Sequence, residues 1–288
     1  MKLYPCQSMK RILTAIVLIA LVFGLIFWSN PQALIAFCGI VACLAAYEFA
    51  ALTKAGGAPI PAWWMIPAVI IFFVVTDYRP MEAPLPVLSF LGLSLLTVSA
   101  FRGQLERALP TAASGFFALI YIAYPLSLLP LFAQKENGVA LLIFLMLAVW
   151  TGDIAALYIG KAFGRHKLAP SLSPNKTWEG AFASIAGSVL ITAILIVVSN
   201  TLTSRGNTLL HISEPVWQTL LLAALVNIAA QVGDLLESAI KRGVGVKDSG
   251  AMLPGHGGIL DRIDALLTAA PVLWYLLLLK EAFGLGPF

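Results

Sequence analysis

Apolar stretches long enough to cross a bilayer recur from one end of this 288-residue chain to the other. An α-helix rises about 1.5 Å per residue, so ~30 Å of hydrocarbon takes about 20 apolar residues. Stretches of that kind lie near 12–28, 33–53, 60–77, 84–101, 113–133, 139–160, 178–199, 216–240 and 265–283. They predict an all-α polytopic membrane protein with about nine transmembrane helices. Pro31, Gly56-Gly57, Pro80, Pro110, Asn137-Gly138, Pro170 and Pro215 mark breaks between them. The segments at 60–77 and 84–101 are short and flanked by proline. With 60% hydrophobic residues and only 11% charged, the chain lies outside the range of soluble domains.

Charge fixes the orientation, because cytoplasmic loops collect Lys and Arg. With the N-terminus cytoplasmic and the C-terminus outside, fourteen of the 18 basic residues fall on the inner side. Arg79, Lys135, Arg205 and Lys280 fall on the outer side. Topology thus accounts for the net charge of +4, and nothing in it calls for a nucleic-acid partner. Lys2, Lys10 and Arg11 before the apolar run Ile12 to Trp28 resemble the start of a signal sequence. Ser29-Asn30-Pro31 then leads straight into another apolar segment, so the run is expected to be an uncleaved first span. Cys6, Cys38 and Cys43 cannot pair completely and show no zinc spacing; they are expected to be free thiols.

The chain divides functionally near residue 135. Residues 1–135 have short, chemically plain loops and are expected to form a scaffold or dimerisation half. Residues 136–288 carry clustered polar residues in two cytoplasmic loops and acids inside apolar spans, as a catalytic half would. No internal repeat is evident, which weakens a transporter built from two related halves.

Three constellations carry chemistry. Asp153 lies inside an apolar span, where an unpaired acid facing lipid costs about 2.5–3.5 kcal/mol; it is expected to face the protein interior or a polar cavity. The loop from Lys167 to Gly180 contains Ser173, Lys176, Thr177 and Glu179 just before a span. Ser173 or Thr177 could simply cap the helix, or the helix N-terminus beside Lys176 could bind an anion. No Walker-type Gly-Lys loop occurs.

The third runs from Gln231 to Asp264 and is the most polar text in the chain. Asp234, Glu237, Ser238, Lys241 and Arg242 share one helical face. A glycine-rich loop with Lys247, Asp248 and Pro254-Gly255-His256-Gly257-Gly258 follows, and Asp261, Arg262 and Asp264 open the last helix. Acids on two helix ends with bases around a flexible loop suit metal-assisted chemistry on phosphates. Mutual neutralisation would explain any one pair, but not the second acidic cluster.

The run Ser238-x-x-Lys241-Arg242-x4-Lys247-Asp248-x5-Pro254-Gly255-His256-Gly257-Gly258-x2-Asp261-Arg262-x-Asp264 resembles the signature of the phosphatidate cytidylyltransferases, the CDP-diacylglycerol synthases. Gln231-x-Gly233-Asp234-Leu235-x-Glu237, Ser173-Pro174-x-Lys176-Thr177-Trp178-Glu179-Gly180 and Asp153 through Gly160 are also similar to the family's pattern. The resemblance covers the second half; the first half matches only in hydropathy and length. It implies a homodimeric enzyme of a bacterial cytoplasmic membrane that makes CDP-diacylglycerol and pyrophosphate from CTP and phosphatidic acid. It further implies a metal centre around Asp234 and Asp261, with Mg2+ and a monovalent cation such as K+.

On that resemblance, Asp264 and Glu237 are further metal candidates. Lys241, Arg242, Lys247 and Arg262 would meet phosphates, with Ser238 as a hydrogen-bond donor and Asp248 within the same catalytic run. Ser173, Lys176, Thr177 and Glu179 would close the nucleotide site, with His256, Gly257 and Gly258 beside the substrate and Asp153 at the polar site. A CTP-dependent kinase of a membrane alcohol is the nearest enzymatic alternative, and an ion-coupled transporter the alternative of another class. A CDP-alcohol phosphotransferase is disfavoured because its DGxxAR-type run is absent.

Overall fold

The computed structural model describes residues 17, 19–27, 30–102, 105–212, 214–252 and 257–283. Of the expected first span, residues 19–27 are helical; Lys2, Cys6, Lys10, Arg11 and His256 lie outside the described residues. The elements that follow are α1 (Pro31–Ala55), α2 (Ala62–Tyr78), α3 (Pro84–Arg102), α4 (Leu105–Ala118), a π-helical turn (Leu119–Ala123), α5 (Tyr124–Ala133) and α6 (Gly138–Phe163). Next come β1 (Lys167–Ala169), β2 (Ser173–Thr177), α7 (Trp178–Ser204), α8 (Val216–Gly243) and α9 (Leu260–Ala282).

Among the described residues, seven helices are long and apolar enough to cross a membrane, counting Leu105–Ala133 as one; Ala62–Tyr78 is apolar but only 17 residues long. The protein is thus an all-α polytopic membrane protein. Most punctuation residues fall at element ends. Pro31 takes the first helical position of α1, where its missing N–H costs nothing, and Asn30 Oδ1 accepts from Ala33 N–H at 2.8 Å. Pro110 behaves differently. It lies inside α4, so the helix expected from 113 begins at Leu105 instead. As the sixth residue of the helix, Pro110 leaves the Glu106 carbonyl without its usual donor, and the helix runs through it with Ala108, Thr111 and Ala112 buried on either side.

A second difference concerns residues 167–177, expected as a loop. They form an antiparallel hairpin with Lys167 opposite Thr177 and Ala169 opposite Ser173. Two strands of three and five residues are too short to write a readable alternation, and Pro170 reads only as a break.

By packing, the chain forms two compact units, Met1–Leu131 with Ile240–Ile263, and Phe132–Ala239 with Asp264–Phe288. In the first, α1 packs on α2 and α3 on α4, around fully buried Ala42, Ala45, Met65, Phe72, Leu95 and Ile122. In the second, α6 and α7 lie side by side along most of their length. Small residues allow this approach: a Cβ on Gly187 would sit 2.8 Å from that of Ala155, and one on Gly152 would meet Ser184 and Ser188.

Candidate active site

Each unit holds one group of the candidate site residues. In the second unit, α8 turns Asn227, Gln231 and Asp234 to one side, a spacing of four and then three residues. Gln231 Nε2 donates to Asn227 Oδ1 at 2.8 Å and to the Ala181 carbonyl of α7 at 3.2 Å. One step along that stripe, Asp234 Oδ2 lies 2.6 Å from the Lys176 ammonium, which β2 supplies. Asp153 of α6 is within electrostatic reach of both Asp234 and Lys176. Both carboxylates thus lie within the field of the Lys176 ammonium.

The hairpin is fastened next to this pair. Thr177 is the N-cap of α7, its Oγ1 accepting from Gly180 N–H at 3.2 Å. Of the two hydroxyl residues near this helix start, Thr177 and not Ser173 makes the cap. Glu179 accepts from the His166 backbone N–H at 3.2 Å, and its Oε1 lies 2.7 Å from His166 Nδ1, closing the base of the hairpin.

Gly233 sets how closely α8 and α9 approach within this unit. A Cβ there would lie 2.6 Å from the Asp264 carbonyl oxygen and collide with Thr268 Oγ1. Thr268 in turn donates to the Ala229 carbonyl at 2.7 Å. Asp264 accepts from the Ala265 N–H at 2.8 Å, Glu237 is buried and Ser238 half-buried.

In the first unit, Asp261 is the hub. Its Oδ1 meets the Lys241 ammonium at 2.6 Å. Its Oδ2 accepts from Ser249 N–H and Ser249 Oγ, both at 3.0 Å, and from Gly258 N–H at 2.8 Å. Gly257 adopts φ +81°, and a Cβ on it would lie 2.9 Å from Asp261 Oδ2, so the glycines serve Asp261 directly. Arg242 donates to the Val246 carbonyl at 2.9 Å, while Lys247, Asp248 and Arg262 are exposed.

Two residues here were not singled out from the sequence. Glu48 of α1, only 2% exposed, accepts from Ser249 Oγ at 3.1 Å, Ile259 N–H at 3.0 Å and Leu260 N–H at 2.9 Å. Asn227 anchors the polar stripe of α8. The signal for Glu48 was the same as for Asp153, an acid inside an apolar helix.

Among the described residues, no three His, Cys, Asp or Glu side chains converge as a ready-made metal cage. A divalent cation that keeps waters and substrate oxygens needs only one or two carboxylates. Asp234 and Asp153, both within the field of the Lys176 ammonium, fit that donor set. Asp261 fits once Lys241 leaves Oδ1, because its other oxygen already takes the Ser249 and Gly258 N–H groups and shares the Ser249 hydroxyl proton with Glu48.

The chain matches the model of the cytidylyltransferase family over residues 9–280. The chain belongs to the cytidylyltransferase family. This cytidylyltransferase-family chain is 31% identical over 269 residues to the phosphatidate cytidylyltransferase of Staphylococcus epidermidis, covering 93% of this chain and 98% of that one. It is 32% identical to that of Haemophilus influenzae, covering 92% and 97%. With the phosphatidate cytidylyltransferase of Brucella melitensis it shares 42% identity over 183 residues, which is 64% of this chain and spans only 61% of that relative's length.

Proposed function

We propose that this chain is a phosphatidate cytidylyltransferase: it transfers the cytidylyl group of CTP to phosphatidic acid, giving CDP-diacylglycerol and pyrophosphate. The observation that carries the reading is the Lys241–Asp261 pair, which lies within the signature-like run 238–264. Support also comes from the relatives' names, which specify both the phosphatidate acceptor and the cytidylyl donor.

The lipid phosphate is already an anion and needs no strong base to attack. An oxygen of phosphatidate forms a bond to the α-phosphorus of CTP, the bond from that phosphorus to the bridging oxygen of the β-phosphate breaks, and pyrophosphate leaves with the electron pair. The protein's work is to hold two repelling anions in line and to neutralise charge on the leaving group. Lys241, Arg242, Lys247 and Arg262 bind phosphate oxygens, and Ser238 donates a hydrogen bond. Lys176 and Thr177, with Ser173 and Glu179 in the same hairpin and helix start, serve the nucleotide.

Asp234 with Asp153 in the second unit, and Asp261 in the first, are each candidate holders of a divalent cation, with Glu237 and Asp264 as further candidates; such a cation would supply charge neutralisation at the phosphates. Magnesium suits these oxygen donors, with a monovalent cation such as K+ beside it. Each lysine now held by a carboxylate is a cation in reserve: when its carboxylate is otherwise engaged, the ammonium turns to phosphate.

The polar segments face the cytoplasm of a bacterial inner membrane, the lipid enters laterally, and two copies form the working enzyme. In this reading residues 136–288 carry the catalytic groups, and 1–135 supply scaffold and dimer contacts. The test is purified protein in detergent with α-labelled CTP, phosphatidic acid and magnesium. Label in the lipid phase with matching pyrophosphate supports the reading. Label transferred only from the γ-position would replace it with a lipid kinase, and no turnover with gradient-driven uptake would replace it with a transporter.

A further inference from the structure

An acid in the middle of an apolar helix is costly unless something compensates its charge. Glu48 is such an acid, seated on the buried face of α1 beside Ala45, Phe49 and Leu52. Among the described residues its carboxylate is met by no ammonium: it accepts from the N–H groups of Ile259 and Leu260, and it shares the single proton of the Ser249 hydroxyl with Asp261. Those two N–H groups belong to the start of α9, where backbone donors have no partner inside the helix and where negative charge is favoured. Ile259, immediately before the helix, has no side-chain oxygen with which to cap it. Glu48 does that work from 212 positions away in the chain.

The same hydroxyl links Glu48 to the hub of this polar group. Ser249 Oγ lies 3.1 Å from Glu48 Oε2 and 3.0 Å from Asp261 Oδ2, so the order is Glu48, Ser249, Asp261, Lys241. The loop leaves no slack around the carboxylate. A Cβ on Gly250 or on Gly258 would collide with Glu48, so both glycines let the backbone close over it.

We propose that Glu48 is a positioning residue for the transfer reaction: it clamps the Ser249 loop to the first turn of α9 and so fixes the direction in which Asp261 points. The proposal rests on the cytidylyltransferase reading for its kinetic consequence, but the clamp itself does not. Glu48→Gln separates the two. The amide keeps the size of the side chain, but its NH2 can accept nothing, so it leaves at least one backbone N–H at the start of α9 without its partner.

The experiment measures that variant twice. Hydrogen–deuterium exchange of the ligand-free protein reads the clamp, with faster exchange expected in 249–252 and 257–262 and parent rates in α1. Steady-state kinetics read the consequence: kcat is expected to fall by about tenfold or more, the scale for groups that orient a ligating side chain. Both KM values are expected to stay within about twofold, since the phosphate-binding cations are untouched. A general loss of fold would instead speed exchange throughout and lower the active fraction.

Parent-like kcat, or a slower reaction with parent-like exchange in both segments, overturns the proposal. Where Glu48→Gln does not fold, Ser249→Ala removes only the bridging hydroxyl and carries both readouts; parent values there overturn it equally. Parent protein without transfer activity would defeat the proposed function, while the exchange measurement would still decide the clamp.

Discussion

The Lys241 ammonium lies 2.6 Å from Asp261 Oδ1, and both side chains are largely withdrawn from solvent, at 11% and 8% exposure. Lys241 comes from the end of α8 and Asp261 from the first turn of α9, so a negative charge sits at a helix N-terminus and a positive one at a helix C-terminus. Breaking a buried pair by removing one partner costs more than the pair contributes, because the other charge stays behind.

Asp261→Asn retains the shape of the side chain but not its charge. Turnover is expected to fall by roughly 100-fold or more, the scale of losing a preorganised electrostatic group. Pyrophosphate release with α-labelled CTP measures it, and size-exclusion elution in detergent checks that the protein remains folded. A rate near that of the parent would remove Asp261 from the reacting centre.

Gly257→Ala and Gly57→Ala make a matched pair. Both glycines have positive φ, +81° and +82°, but a Cβ on Gly57 meets nothing within 4 Å whereas one on Gly257 approaches Asp261 Oδ2. Each substitution costs about 1 kcal/mol in backbone strain, seen as a lower Tm. Only Gly257→Ala is expected to slow turnover. Equal activity in the two variants would show that the approach to Asp261 has no consequence for the reaction.

Thr177→Ala removes the cap of α7 and is expected to destabilise the protein by about 1 kcal/mol, while Thr177→Ser keeps the oxygen and most of the stability. Thermal melts in detergent compare them. A serine variant melting as low as the alanine one would mean that the methyl group, which faces Gly164, matters more than the cap.

Lys135 pairs with Glu281 at 2.9 Å and lies 5.4 Å from the centre of the Trp274 ring. Both charges are partly solvated, at 27% and 43% side-chain exposure, so Lys135→Ala is expected to cost at most about 1 kcal/mol. Turnover should match the parent, and a large catalytic loss would contradict the assignment of Lys135 to the side of the membrane away from the polar segments.

The helices were legible because each depends on its own composition. Trp178–Ser204 and Val216–Gly243 begin where the apolar text begins, since a buried stretch without breakers has little choice but to satisfy its backbone internally. Pro110 reads as a break because an interior proline costs a helix one hydrogen bond, yet the helix runs through it from Leu105, with Ala108, Thr111 and Ala112 buried around it. The hairpin at 167–177 was hidden because its strands are held by the neighbouring helix start, through Trp178 N–H to the His166 carbonyl at 2.9 Å, not by their own pattern.

The polar groups divide along the same line. Spacing alone placed Asp234 and Lys241 on one helix and Asp261 at the start of the next, because 3.6-residue periodicity is a local property. Only the tertiary structure decided that Lys176 reaches Asp234, that Lys241 reaches Asp261, and that Glu48 closes over the start of α9. Partners 58, 20 and 212 residues apart are chosen by which donors the packed helices bring near a buried charge, and sequence distance carries no record of that choice.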